Sequence, residues 1–137
     1  MNPESRINMP TPCLFCHMPE ARIVLRDALA YAVRDSFPVT PGHTLVIPKR
    51  HVVSFFDTTA EERAAMLALL DQAKRLLDEE FHPDAYNIGV NDGAAAGQTI
   101  AHLHWHLMPR YTGDAADPRG GVRWIIPGNA KYWKGDV

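Results

Sequence analysis

The stretch His102-Leu103-His104-Trp105-His106-Leu107-Met108 carries the strongest structural signal in the chain. Histidine alternates with apolar residues, which is the period of a half-buried β-strand with imidazoles on one face and a core face on the other. We therefore predict a strand that ends at Pro109 and spaces its three imidazoles about 6.6 Å apart. Such a row can line a polar substrate, or lend one or two rings to a metal ion.

The segments around this strand predict an antiparallel α+β domain. Short apolar runs bounded by turn residues predict a hairpin within residues 22–34 and further strands over 44–47 and 86–90. Residues 59–81 form the clearest helix, because Thr59 and Glu62 fit a capping box and Leu67, Leu70 and Leu77 recur at helical spacing. Hairpin-length connections on both sides of one long helix favour an antiparallel sheet over alternating βαβ units.

The composition predicts one globular domain. A chain of 137 residues with 46% hydrophobic side chains can build a single core. Its formal net charge of -2 gives no field for a nucleic-acid polymer, whereas a small phosphate ligand remains compatible with local basic residues. No apolar run approaches the roughly 20 residues of a membrane span, and the amino-terminal segment lacks the basic start of a secretory signal. We expect a cytoplasmic protein without a membrane partner.

The chain divides into three regions. Residues 1–12 carry three prolines and little periodicity, which predicts a flexible arm. Residues 13–110 contain every predicted element of the domain. Residues 111–137 are rich in glycine and proline, but they include Trp124, Ile125 and Trp133. Because these side chains are too apolar to remain in water, we expect this tail to pack on the domain or on a partner subunit.

Two further motifs accompany the histidine strand. One runs from Asn91-Asp92-Gly93 to Gly97-Gln98-Thr99, and the other is Pro41-Gly42-His43-Thr44-Leu45-Val46-Ile47-Pro48-Lys49-Arg50-His51. In order and spacing the three motifs resemble the histidine triad (HIT) family of nucleotide hydrolases and transferases, over residues 13–110. The resemblance implies an antiparallel sheet of about five strands with one long helix and a short second helix, in a two-fold homodimer.

The resemblance also implies a covalent mechanism on a small nucleotide substrate. Neutral imidazole is a competent nucleophile towards phosphorus near pH 7. His104 would attack the α-phosphorus to give a nucleotidyl-histidine adduct, which water then hydrolyses. His106 would bind the α-phosphate and help the leaving group accept a proton, and His102 completes the catalytic row.

Six further positions match the nucleotide-binding residues of the family. Asp35, eight positions before His43, would accept hydrogen bonds from the ribose hydroxyls. His43 and Asn91 would lie along the nucleoside and phosphate side of the pocket. Backbone N–H groups near Gly97, together with the neighbouring Gln98 and Thr99, would stabilise charge on the transferring phosphoryl group.

Cys13 and Cys16 are the only cysteines of the chain. Their C-x-x-C spacing supplies two thiolates for a tetrahedral zinc that needs two more ligands. In family members that carry this pair, the resemblance implies completion by His51 and His102 and a closed, structural site. His17 is a weaker substitute, because it follows Cys16 directly and would strain the chelate. A redox dithiol is disfavoured because Pro12 precedes the pair in an amino-terminal arm, and two idle thiols are the remaining alternative.

Several functional alternatives stay open at this level. Two of the histidines could instead hold a catalytic zinc, as in a carbonic-anhydrase-like site. Within the family, His43, Asn91 and the Ile-Pro-Lys run resemble Hint-type phosphoramidases, whereas Met108-Pro109-Arg110-Tyr111 with Gly113-Asp114 resembles Fhit-type polyphosphate hydrolases. We favour a hydrolase of dinucleoside polyphosphates or related adenylates. A nucleotide-binding sensor without turnover is the third hypothesis.

Overall fold

Five antiparallel strands and one α-helix form the framework, and the computed structural model describes residues 12–135. The elements are β1 (Ile23–Arg26), β2 (Ala30–Arg34), β3 (Thr44–Pro48), α1 (Ala60–Phe81), β4 (Ala85–Val90) and β5 (Trp105–Arg110). The sheet order is β1-β2-β3-β5-β4, and every neighbouring pair is antiparallel. The α+β class and the five-stranded antiparallel sheet are thereby confirmed, while the predicted arm falls almost wholly outside the described residues.

Strand β5 begins three residues later than the sequence predicts. Buried and half-buried residues alternate as predicted from Trp105 onward, with Leu107 buried against α1 and His106 on the opposite face. The pairing of β5 with β3 ends at Val46 opposite Trp105. Before that point the chain leaves the sheet, and the Leu103 N–H donates to the carbonyl of Val52 at 2.7 Å instead. The expectation of one strand carrying all three histidines is therefore wrong, because only His106 is a strand residue.

Helix α1 packs on the sheet through a stripe of buried residues. Leu77 is fully buried as predicted, but Leu67 is 52% exposed, and Met66 and Leu69 are the fully buried residues in the amino-terminal half of the helix. The helix ends at Phe81, and His82, which follows it, has a left-handed backbone (φ 51°) and precedes Pro83. This helix covers one face of the sheet and leaves the other face, which carries His106, for the functional site.

A capping box starts α1 as predicted. The Thr59 hydroxyl accepts a hydrogen bond from the Glu62 N–H at 3.0 Å, and the Glu62 carboxylate accepts one from the Thr59 N–H at 2.9 Å. We expect Thr59→Ala to lower the free energy of unfolding by about 1 kcal/mol, measured by urea denaturation, since it removes one cap and spares Glu62. Thr59→Ser keeps the acceptor and should stay close to the wild type. Equal losses in both variants would contradict this role.

The predicted short second helix is not an α-helix. Within residues 12–135 the remaining helical segments are 3-10 turns of three to five residues, such as Gly121–Ile125. No helix in this part of the chain combines the length and the apolar character that crossing a membrane requires.

The tail lies beside β4. A Cβ placed on Gly121 would stand 3.1 Å from the side-chain nitrogen of Asn87, so tail and strand are in close contact there. The Arg119 guanidinium lies 4.7 Å from the Trp133 ring and anchors the end of the tail. Ile125 nevertheless remains 81% exposed, so the tail presents apolar surface as well as burying it.

Candidate active site and metal centre

Two cysteines and two histidines converge at the amino-terminal side of the sheet. The ligand atoms of Cys13, Cys16, His51 and His102 all lie within 4.8 Å of one another. The Cys13 sulfur is 3.3 Å from Nδ1 of His102, and the Cys16 sulfur is 3.2 Å from Nδ1 of His51. Tetrahedral zinc, with Zn–S near 2.3 Å and Zn–N near 2.0 Å, requires S···N separations of about 3.5 Å. The spacing therefore fits a zinc ion.

The orientation of His102 also fits a metal ligand. Its Nε2–H donates to the carbonyl of Pro48 at 2.8 Å, so Nδ1 keeps its lone pair and points at the two sulfurs. Burial lowers the pKa of this imidazole, which keeps the ring neutral and able to coordinate. A zinc-bound histidine usually donates its other ring N–H to a carbonyl, a carboxylate or water, which fixes the orientation of the coordinating nitrogen. The four residues thus form a closed site that joins the turn at Cys13 to the segment after β3 and to the segment before β5.

The redox and substitute-ligand alternatives find no support in this geometry. Cys13 and Cys16 are free thiols whose partners are histidine nitrogens. His17 is not among the residues whose ligand atoms converge there. His51, 35 residues further along the chain, occupies the position that a fourth ligand needs.

His104 presents a free nitrogen. Its Nδ1 lies 2.9 Å from the carbonyl oxygen of His102, and since that oxygen can only accept, Nδ1 carries the proton. When this ring is neutral, its lone pair therefore lies on Nε2. Phe15, from the cysteine turn, packs edge-on against the ring at 5.1 Å between centroids. The cysteine–histidine cluster and the His104 ring are therefore adjacent, because His102 contacts both.

His43 and His106 form a hydrogen-bond chain with a fixed direction. The Val39 N–H donates to Nδ1 of His43 at 3.0 Å, so the proton of neutral His43 resides on Nε2. That Nε2–H faces Nδ1 of His106 at 2.9 Å, which must accept. Neutral His106 consequently carries its own proton on Nε2. Asp35 approaches the same His43 nitrogen at 3.5 Å.

Burial keeps both of these imidazoles neutral. Desolvation is the main cause that lowers the pKa of His106 to about 4, and the nearby rings of His104 and His43 lower it further, against the opposing charge of Asp35. The pKa of His43 is lowered by burial as well. In the free protein His106 is therefore a neutral hydrogen-bond donor at pH 7 and not an imidazolium.

We expect the His106 ring to stay neutral, with its proton on Nε2, between pH 5.5 and 8. The depressed pKa means that protonation is disfavoured until the pH approaches about 4. Nitrogen-15 chemical shifts of labelled histidine report which ring nitrogen is protonated, and His106→Asn identifies the signal. A midpoint close to 6.5, the value of free histidine, would contradict the assignment.

A large cavity lies beside these rings on the sheet face opposite α1. Its volume is about 1190 Å³, and its lining includes His43, Asn91, Gly97 and His106 at one end. Met108 and Arg110 extend the lining along β5, and the tail forms the opposite wall. The cavity is large enough to accept a ligand of dinucleotide size.

The glycine-rich loop differs from the expected oxyanion site in its details. The Gln98 side chain donates to the carbonyls of Val53 and Ile100 and accepts from the Gly93 N–H, so it closes the loop. The N–H groups of Gly97 and Gln98 donate to carbonyls within the same turn. Thr99 is exposed at the end of the loop. In this structure both the side chain and the N–H of Gln98 hold the shape of the loop.

Two contributions to the site are not visible in the sequence motifs. The first comes from the backbone: the Val39 N–H and the His102 carbonyl determine which ring nitrogen of His43 and of His104 carries the proton. The second is a polar wall on which Arg110 pairs with both oxygens of Asp114, at 2.8 and 2.7 Å, and donates to Asn87 at 2.7 Å. Both residues belong to the run Met108-Pro109-Arg110-Tyr111 with Gly113-Asp114, but that run does not by itself indicate that the two side chains pair.

Comparisons with known proteins converge on one family. The HIT domain family model matches residues 18–113. An AP-4-A phosphorylase of Mycobacterium tuberculosis is 40% identical over 97 residues, which cover 70% of this chain and 50% of that protein. The asymmetrical bis(5'-nucleosyl)-tetraphosphatase of Schizosaccharomyces pombe is 34% identical over 110 residues, covering 80% of this chain and 60% of that one. The match therefore spans only 50% and 60% of the length of these two enzymes.

A solved structure gives the same result. The crystal structure of a Zn-bound histidine triad family protein from Mycobacterium smegmatis superimposes with a TM-score of 0.69 at 41% sequence identity. The match covers 75% of this chain and 78% of that protein.

Proposed function

The chain belongs to the HIT family, and from this premise we propose that it is a nucleotide hydrolase that forms a covalent intermediate on His104. The proposed substrates are dinucleoside polyphosphates or related adenylates, cleaved at the α-phosphate. The observation that carries the proposal is the hydrogen bond from Nδ1 of His104 to the His102 carbonyl at 2.9 Å, which leaves Nε2 as a free nucleophile.

In the first step Nε2 of His104 attacks the α-phosphorus and the bond to the leaving oxygen breaks. Because Nδ1 keeps its proton, the adduct is a cationic phosphoimidazolium that the His102 carbonyl stabilises. In the second step water attacks the same phosphorus, neutral His104 departs, and the proton of the water is released to solvent. The products are a nucleoside monophosphate and the remaining polyphosphate.

The state of His106 supports polyphosphates over phosphoramidates. A polyphosphate leaves as a stable anion, whereas an amine leaving group needs a proton. His106 is buried, neutral and held by His43, and it can donate a hydrogen bond to a phosphate oxygen without losing its proton. This arrangement suits an anhydride and supplies no imidazolium for an amine.

The same geometry supports the proposed positions of the nucleotide. His43, Asn91, Gly97 and His106 line one end of the cavity, where the α-phosphate would lie. Asp35, close to His43, would accept from the ribose hydroxyls. With the Gln98 amide engaged in its loop, the charge of the phosphoryl group would be met mainly by His106 and by Thr99.

The decisive assay is parallel incubation with diadenosine tetraphosphate and adenosine 5'-phosphoramidate, followed by chromatography of the products. We expect AMP and ATP from the tetraphosphate at the higher kcat/KM. Faster release of AMP from the phosphoramidate would identify a phosphoramidase. Tight binding of both nucleotides without turnover would identify a sensor.

Three further assignments belong to this proposal. Cys13, Cys16, His51 and His102 would hold one structural zinc. The thiolates that bind it persist in a reducing compartment, which supports a cytoplasmic location. Strand β4 is an edge strand with Ile88 52% exposed, which supports a homodimer, to be measured by light scattering.

A further inference from the structure

The cavity continues well beyond the catalytic rings. From His106 through Met108 to Arg110, the lining follows β5 for four residue steps, or about 13 Å. A single nucleotide whose phosphate touches His106 and whose ribose reaches Asp35 lies at or beyond one end of this space. The remaining part is bounded by the tail and is unused in the mechanism described above.

The tail wall is apolar. Val122, Trp124, Ile125 and Ile126 all line the cavity, and all four are exposed large hydrophobic residues. The indole Nε1–H of Trp124 donates to the carbonyl of Arg119 at 2.8 Å, which fixes the ring while 37% of the residue stays accessible. An immobilised indole beside exposed isoleucines is a surface suited to an aromatic heterocycle.

The charged side chains on the tail side of the cavity form arginine–aspartate pairs. Arg110 holds both oxygens of Asp114 and Arg119 holds both oxygens of Asp117, each through two hydrogen bonds. These pairs leave little net charge on the tail side of the cavity. Such a wall suits a neutral purine nucleoside better than a phosphate chain, which would seek uncompensated cations.

We propose that the tail-lined part of the cavity is a subsite for the departing nucleoside of a dinucleoside polyphosphate, with Trp124 as its stacking platform. This inference rests on the proposed function, because it places the transferred nucleoside at Asp35 and the leaving one at the tail. Trp124 and Ile125 would then determine specificity for substrates with a nucleoside on both ends.

Binding measurements test the subsite without relying on turnover. In His104→Ala protein, calorimetry should show that adding Trp124→Ala weakens diadenosine tetraphosphate binding about tenfold, the factor that corresponds to about 1.4 kcal/mol of lost base stacking. AMP, which has no second nucleoside, should bind equally with and without Trp124. Ile125→Ser tests the same wall at a residue too exposed to affect folding, and should weaken only the tetraphosphate.

Steady-state kinetics of protein that retains His104 provide the second test. Trp124→Ala should raise KM for diadenosine tetraphosphate and leave kcat/KM unchanged for adenosine 5'-phosphosulfate, whose leaving group is sulfate. Tyr132→Ala is the matched control, because this tail aromatic is 76% exposed and does not line the cavity. The subsite would be overturned if Trp124→Ala lowered kcat/KM equally for both substrates. It would also be overturned if neither Trp124→Ala nor Ile125→Ser weakened the binding of diadenosine tetraphosphate. Absence of any turnover in the wild type would overturn the proposed function, while the calorimetry still decides the subsite.

Discussion

Replacing His104 with alanine is expected to reduce hydrolysis of diadenosine tetraphosphate by about 10⁴-fold or more, the scale of loss seen when a covalent nucleophile is deleted. The variant removes the Nε2 lone pair that is left free when Nδ1 donates to the His102 carbonyl. The ring is not a zinc ligand, so metal content and the unfolding transition should stay close to the wild type. Steady-state release of AMP and ATP measures the effect.

A trapping experiment and a matched variant complete this test. Brief incubation of wild-type protein with radiolabelled substrate should give an acid-labile protein adduct that His104→Ala cannot form. His82→Asn is the control, since this exposed histidine ends α1 in a left-handed conformation that asparagine tolerates. If His104→Ala keeps activity while removal of metal stops turnover at once, a catalytic zinc replaces the nucleophile assignment.

Loss of the metal centre should have the largest effect on stability. We expect Cys13→Ser combined with Cys16→Ser to remove zinc and to lower the melting temperature by more than about 10 °C, because zinc binding contributes directly to folding and one ion joins three separate segments of the chain. Thermal unfolding by circular dichroism and metal analysis by mass spectrometry measure the two changes together.

Matched histidine variants sharpen this expectation. His51→Ala should lose zinc and stability, whereas His17→Ala, equally exposed but outside the cluster, should lose neither. Activity should also fall when zinc is lost, because the His102 carbonyl that orients His104 belongs to a metal ligand. Zinc-free protein from a preparation made without chelator, with an unchanged melting temperature, would contradict the site.

Local patterns predicted the framework well. The capping box of α1 needs only Thr59 and Glu62, three residues apart, and the α+β class follows from strand and turn signals along the chain. The start of β5 was missed because it depends on where its partner strand stops pairing. That end is set at Val46, nearly 60 residues away in the chain, and no local pattern encodes it.

The chemistry of the site was predictable in kind and less so in detail. The C-x-x-C spacing supplied half of a zinc site, and its adjacency to Cys16 already made His17 a poor ligand. Naming His51 and His102 as the other two ligands required the resemblance to a family or the fold itself. The engagement of Gln98 within its own loop and the wall built by the tail depend on contacts between segments. Residue types in sequence indicate which chemistry is available, whereas three-dimensional packing decides which atoms are free to perform it.

The directed chain through His43 limits which amino acids can replace it. Position 43 must accept a hydrogen bond from the Val39 N–H on one side and donate one to His106 on the other. Among uncharged side chains, only the carboxamides of glutamine and asparagine combine both capacities in a rigid planar group. Leucine could fill the same space, but it would leave His106 free to flip and to exchange its tautomer. The orientation of the His106 ring therefore depends on a neighbour that need not itself contact a substrate.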